Sequence, residues 1–158
     1  MSAAVLNQIV AARRHHCCIV ASTPSTRRQY VTDLFARRSA DDVAKAFIPH
    51  YYNLFDTNRE GLAALFRNES QFTFEGDGPK AGGPAIMEKL RTLPPVQHQP
   101  QTIETQPSTN PNAILVFCTG NILVEQGKPL KYSEVFQLVA SAPGQYYLHN
   151  VIFRFNYA

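Results

Sequence analysis

Phe47-Ile48-Pro49-His50-Tyr51-Tyr52-Asn53-Leu54-Phe55-Asp56, followed at a distance by Phe72-Thr73-Phe74-Glu75-Gly76, is the sequence on which the fold turns. Val43, Phe47, Tyr51, Leu54 and Phe55 recur at near-helical spacing, which predicts a long amphipathic helix from Ser39 to Asp56. Ser39 is its candidate N-cap, and Asp41 and Asp42 fall in the first turn, where the helix dipole favours negative charge. Leu62, Leu65 and Phe66 predict a second, short helix. Gln71 to Glu75 alternates polar and aromatic residues, a strand pattern.

Such a helix and strand need a sheet to pack against, and the remaining residues supply it. Gly76-Asp77-Gly78-Pro79 reads as a turn. Ala81-Gly82-Gly83-Pro84 opens a helix whose apolar face is Ile86, Met87, Leu90 and Leu93, and Pro94-Pro95 stops it. Gln97 to Gln106 alternates weakly, as an exposed strand would. Ala113 to Glu125 is a nearly continuous apolar strand in which Gly120 marks a bulge or bend. Leu130 to Ala140 and Tyr146 to Phe155 are the last two strands. Short turns between them imply antiparallel pairing, and helices followed by a meander imply an α+β class. A strongly curved sheet around a long helix leaves a concave mouth suited to a pocket.

The chain has 158 residues, the length of one domain, with 44% hydrophobic residues and no apolar run long enough to span a membrane. Its net charge of +3 is unevenly placed. Residues 1–38 carry six arginines, no lysine and one acid, Asp33. The remaining 120 residues are slightly acidic, so the basic excess argues for no nucleic-acid surface on the folded body. Residues 1–38 therefore read as a basic, disordered leader and residues 39–158 as the domain. Two readings of the leader stay open, a mitochondrial transit peptide and an inert extension. Three cysteines without CxxC spacing give no disulfide framework. His15-His16-Cys17-Cys18 lacks the ligand spacing of a zinc site, because consecutive side chains do not converge on one ion. Cys118, in an apolar strand, reads as an inert buried thiol.

Seven motifs then carry a resemblance. They are Phe47-Ile-x-His-Tyr51-Tyr-x-Leu-Phe-Asp56, Thr73-Phe-Glu-Gly76, Ala85-Ile-Met-Glu-Lys-Leu90, Leu93-Pro94, Gly120-x-Ile-Leu, Val135-Phe-Gln-Leu138 and Asn150-x-Ile-Phe-Arg-x-Asn-Tyr157. In order and spacing they resemble the nuclear transport factor 2 family, from about Asp41 to the C-terminus. The resemblance implies a cone-like, curved antiparallel sheet wrapped around a long N-terminal helix, and a homodimer formed through that sheet. It implies nuclear import of the GDP form of the small GTPase Ran and contact with phenylalanine-glycine nucleoporins, in cytoplasm, nucleus and nuclear envelope. No enzyme activity, cofactor, metal, nucleic acid or membrane is implied.

Carried over by position, the resemblance makes Phe74, Leu93, Leu130, Ile152 and Phe153 the lining of a pocket for an aromatic side chain of Ran. It makes Glu75 and Glu125 acids on its rim. Three positions depart from the family pattern. Gly127 stands where a further rim acid is expected, a residue near Gln101 replaces a pocket-edge histidine, and Ala40 replaces an aromatic that receives nucleoporin phenylalanines. The alternative reading is an organelle-targeted protein, or an isomerase or dehydratase using the same cone. Catalysis needs a base and a proton donor inside it. Asp56, His50, Glu104 and the tyrosines are the candidates, and no motif pairs any two of them.

Overall fold

The computed structural model describes residues 24–157 apart from residues 126 and 143, with side chains from residue 40 onward. The chain divides into two units, Met1–Asp33 and Leu34–Ala158. Of the first, only the helical residues from Pro24 are described. The His15–Cys18 cluster and most of the expected leader lie outside the described residues.

Helix α1 spans Pro24–Thr57, so it starts well before Ser39, which lies inside it rather than capping it. Pro24 suits a first helical position, and no glycine or second proline interrupts the residues up to Pro49. The expected boundary between residues 38 and 39 therefore falls within a helix. From Ala40 onward the buried face of α1 is Ala44, Ile48, Tyr51, Tyr52 and Phe55, with Val43, Phe47 and Leu54 packed at its margins. The stripe is turned from the expected one because the small Ala44 lies near its centre, which a search for large apolar residues overlooks.

A 3₁₀ turn, Arg59–Leu65, follows, and Phe66 already belongs to strand β1, Phe66–Phe74. The next elements are β2 (Lys80–Ala81), α2 (Gly83–Arg91), β3 (Val96–Pro107), β4 (Ala113–Val124), β5 (Leu130–Ala142) and β6 (Gln145–Phe155). The six described strands form one curved sheet in the order β2-β1-β6-β5-β4-β3. The meander β3 to β6 is antiparallel throughout, as the short turns predict. β1 instead pairs with β6 in parallel. The two are separated by the rest of the domain, so no hairpin dictates their direction. The β1–β6 register shifts between Phe66 and Gln71, and there the buried Ser70 hydroxyl donates to Leu148 O (2.5 Å) and accepts from Arg67 N–H (2.8 Å).

Gly120 is required for close approach and is not itself the bulge. The register shift lies opposite it in β3, between Pro100 and Thr102, with Gln101 the extra residue. A Cβ at Gly120 would sit 2.4 Å from Gln99 O and 3.0 Å from the Tyr132 ring. The core between α1 and the sheet is aromatic: Tyr51 meets Phe136 edge-on at 5.1 Å, and Tyr52 meets Tyr132 at 5.9 Å.

Strand alternation sorts β4–β6 into two faces. Cys118, Glu134, Phe136, Val151 and Phe153 point inward. Phe117, Val135 and Ile152 are register partners on the outer face, with Thr73 at the end of the row. Ile152 is 48% exposed there and Phe117 40%.

Candidate functional site

The ends of several elements surround one cavity of about 310 Å³. Phe72 and Phe74 close β1, Phe55 comes from the last turns of α1, and Leu93, Pro94 and Val96 join α2 to β3. Ile122 and Val124 end β4, Leu130 begins β5, and Phe153 and Phe155 end β6. Phe74 stacks on Phe153 at 4.9 Å and 8° and meets Phe155 edge-on at 6.2 Å, so it forms a wall of the hollow rather than a plug. Arg59 fixes the opposite wall. Its guanidinium donates to Leu90 O, Leu93 O and Pro94 O at 3.0, 2.6 and 2.8 Å, satisfying carbonyls at the end of α2 and holding Leu93 and Pro94 in place.

Of the expected pocket residues, Phe74, Leu93, Leu130 and Phe153 line the cavity. Ile152 does not, and its assignment is corrected. Side chains alternate along a strand, so the neighbour of inward Phe153 faces out. Gln101 is exposed and outside the lining.

Both expected rim acids end strands in left-handed backbone, Glu75 at φ +52° beyond β1 and Glu125 at φ +54° beyond β4. Glu75 is half-buried. Its N–H donates to Phe153 O (3.1 Å), and its Oε1 accepts from Phe155 N–H, so one carboxylate oxygen serves the sheet. Glu125 is exposed, held by its N–H to Pro95 O (2.9 Å). Lys89 lies 5.5 Å from the Phe74 ring centre and pairs with Asp77 at 2.6 Å.

Two polar residues reach the apolar cavity, and sequence reasoning missed both: Glu134 and His98. Glu134 is 2% exposed and accepts hydrogen bonds from Tyr52 OH (2.9 Å) and Tyr51 OH (3.3 Å). Burial pushes its carboxyl up to about 8, against the opposing pull of those two hydroxyls, so it is largely neutral at pH 7. Burial, then the neighbouring Glu134, pushes the Tyr51 and Tyr52 phenols well above their usual range. His98 is clamped by Asp56, whose Oδ2 accepts from His98 N–H (2.8 Å) and whose Oδ1 lies 2.6 Å from Nδ1. The His98 ring stacks on Tyr52 at 4.5 Å. Asp56 thus has a partner, whereas His50 and Glu104 are exposed and stand apart from the cavity.

A second hollow of about 200 Å³ lies beside Ala40, with Pro107, Pro111, Ile114 and Tyr146 among its walls. Among the described residues, no group of three or more His, Cys, Asp or Glu side chains converges to hold a metal. No described helix is long and apolar enough to cross a membrane.

Residues 43–155 match the family model described as the Nuclear transport factor 2 (NTF2) domain. A relative named Nuclear transport factor 2B from Arabidopsis thaliana is 45% identical over 75% of this chain and 95% of its own length. The solved structure of nuclear transport factor 2 from Cryptosporidium parvum superposes with a TM-score of 0.68 at 37% identity, covering 73% of this chain and 94% of that one. A putative scytalone dehydratase from Novosphingobium aromaticivorans also superposes, with a TM-score of 0.65 over 78% of this chain and 89% of that one. At 16% identity this shows a shared fold alone.

Proposed function

This chain belongs to the nuclear transport factor 2 family, and from that premise we propose that it is a homodimeric, non-enzymatic import carrier for the GDP form of Ran. Its role lies in nucleocytoplasmic transport. The observation that supports the finer reading is the apolar cavity walled by Phe74 and Phe153, with Glu75 and Glu125 next in sequence to its lining residues Phe74 and Val124. An aromatic side chain buried in such a pocket supplies most of the energy of an interface, while rim carboxylates contribute orientation and on-rate. The test is to titrate the protein with Ran loaded with GDP or with GTP. The expected result is at least about tenfold tighter binding of the GDP form, the factor that 1.4 kcal/mol supplies. Equal binding, or none, rejects the carrier reading.

The dimer is proposed on the outer face. Phe117, Val135 and Ile152 form an apolar row across three strands, and Leu115 adds to it at 39% exposure. An exposed apolar row of this kind marks an interaction surface. Ile152→Glu is expected to convert a dimer to a monomer in sedimentation equilibrium with an unchanged circular dichroism spectrum. A dimer that survives places the contact elsewhere.

The hollow beside Ala40 is the proposed seat for nucleoporin phenylalanines, with Ala40 at the position where an aromatic was expected and Pro107, Pro111, Ile114 and Tyr146 among its walls. The proposed location is cytoplasm, nucleus and nuclear envelope. Only the acid-poor composition of residues 1–38 supports a mitochondrial address, and the relatives add no support to it.

One observation favours a second reading, catalysis on a small molecule. Glu134, bonded to two tyrosines, and His98, clamped by Asp56, both line the cavity. The carrier reading is preferred because the relatives carry the name of a transport factor.

A further inference from the structure

A short strap, Leu93-Pro94-Pro95, runs between α2 and β3, and its first two residues line the cavity. Pro94 and Pro95 have no N–H, so the strap has one backbone donor, Leu93 N–H, which donates to Leu90 O (3.2 Å). It therefore cannot fasten its own carbonyls, and all three are met from elsewhere. Leu93 O and Pro94 O accept from the Arg59 guanidinium at 2.6 and 2.8 Å, and Pro95 O accepts from Glu125 N–H at 2.9 Å. Arg59 also donates to Leu90 O (3.0 Å), and its Nε donates to Phe55 O (3.4 Å). Its Cζ lies 4.9 Å from the centre of the Phe55 ring. Phe55, Leu93 and Pro94 all line the cavity, whereas Arg59 does not. Among the described residues no carboxylate pairs with Arg59, and the neighbouring Glu60 pairs with Arg91 at 2.7 Å.

We propose that Arg59 is a positioning residue for the partner's aromatic ring: from behind the wall, its guanidinium holds Leu93, Pro94 and Phe55 in the arrangement that receives the ring. The inference rests on the carrier reading for the identity of that partner. The guanidinium is planar and carries five N–H donors in a fixed fork, and here the fork spans carbonyls of α1, α2 and the strap. A lysine keeps the charge but offers a single nitrogen in place of three. A pocket already held in its bound shape loses less freedom when the ring enters, so removing the fork lowers affinity without removing a contact to the partner. The role is separate from that of the rim acids, which are expected to act on the partner's charges directly.

The experiment titrates the full chain, Arg59→Lys and Val116→Ala with Ran loaded with GDP. Val116 is buried on β4, outside both the strap and the cavity lining, so its truncation lowers stability without touching the wall. Arg59→Lys is expected to bind about tenfold more weakly, and Val116→Ala to stay within about threefold of the wild type. A second measurement, without Ran, separates a loosened wall from a loosened fold. Amide hydrogen exchange at Leu93 and Glu125 is expected to quicken by about fivefold or more in Arg59→Lys, while Phe136 and Val151, on the two central strands, change by less than about twofold. Arg59→Lys binding within threefold of the wild type, an equal loss in Val116→Ala, or exchange that quickens at all four amides alike or at none, each overturns the proposal. If Arg59→Lys does not fold, Arg59→Gln takes its place with the same expectations. If neither folds, Arg59 holds the fold and not the wall alone, and the proposal falls. A wild-type chain that does not bind Ran rejects the carrier reading instead, and the exchange pattern then decides whether Arg59 sets the wall.

Discussion

Glu134→Gln is expected to stabilise the fold by about 3–5 kcal/mol at pH 9 and by less than about 1 kcal/mol at pH 4, as judged by denaturant unfolding. Glu134 is 2% exposed, and its carboxyl is pushed up to about 8 in the folded protein. In the unfolded chain a glutamate titrates near ~4.3. Between these values the folded state keeps a proton that the unfolded state releases. Stability therefore falls as pH rises from about 4, and levels off above about 8. Each unit of the gap costs roughly 1.4 kcal/mol. Glutamine is neutral at every pH, keeps the shape, and still offers an oxygen and an NH₂ to Tyr52 and Tyr51. The other titrating groups are common to both proteins and cancel in the difference. Stability curves that run parallel from pH 4 to 9 would mean that Glu134 is ionised in the fold and solvated by groups other than the two tyrosines.

A proton held inside an apolar cavity is stabilising in acid and destabilising in base, and the protein retains this group at the centre of its α1–β5 contact. Its position was legible in principle. Tyr132-x-Glu134-x-Phe136-x-Leu138 alternates, and three of the four are large apolar residues with inward positions, so a charged residue in that series must be buried. Ile152 entered the pocket by the resemblance, position for position, and the alternation of β6 turns it outward beside inward Phe153. His98 was less accessible. It sits in a strand that alternates weakly, and its partner Asp56 is 42 residues away on another element, so local pattern carries no trace of the pair. Phe74, Leu93, Leu130 and Phe153 line one cavity, each brought there from a different segment. The parallel β1–β6 pairing was illegible because turn length constrains only strands that are joined by turns. The start of α1 was lost because Ser39 has the chemistry of a cap, and nothing in the residue itself distinguishes a cap from a helix interior.

Leu130→Trp is expected to weaken binding of Ran in its GDP form by about 30-fold or more while leaving the fold intact. Leu130 opens β5 at the mouth of the cavity and is 40% exposed, so a larger side chain there meets solvent on one side and the hollow on the other. Overpacking is costly in a filled core, but at a half-open mouth an indole can settle into the cavity, and the change in stability should stay within about 1 kcal/mol. What it removes is space for a partner's ring. A buried aromatic anchor contributes at least ~2 kcal/mol to an interface, and each 1.4 kcal/mol is tenfold in affinity. The loss should appear as faster dissociation, because the anchor acts after encounter. Leu130→Ala leaves the mouth open and is the control, expected to change affinity by less than about fivefold. Glu125→Lys should behave differently from both. Reversing an exposed rim charge slows association and alters its salt dependence, with little change in dissociation. If Leu130→Trp folds and binds Ran as the native protein does, no ring of Ran enters this cavity, whatever the rim acids contribute.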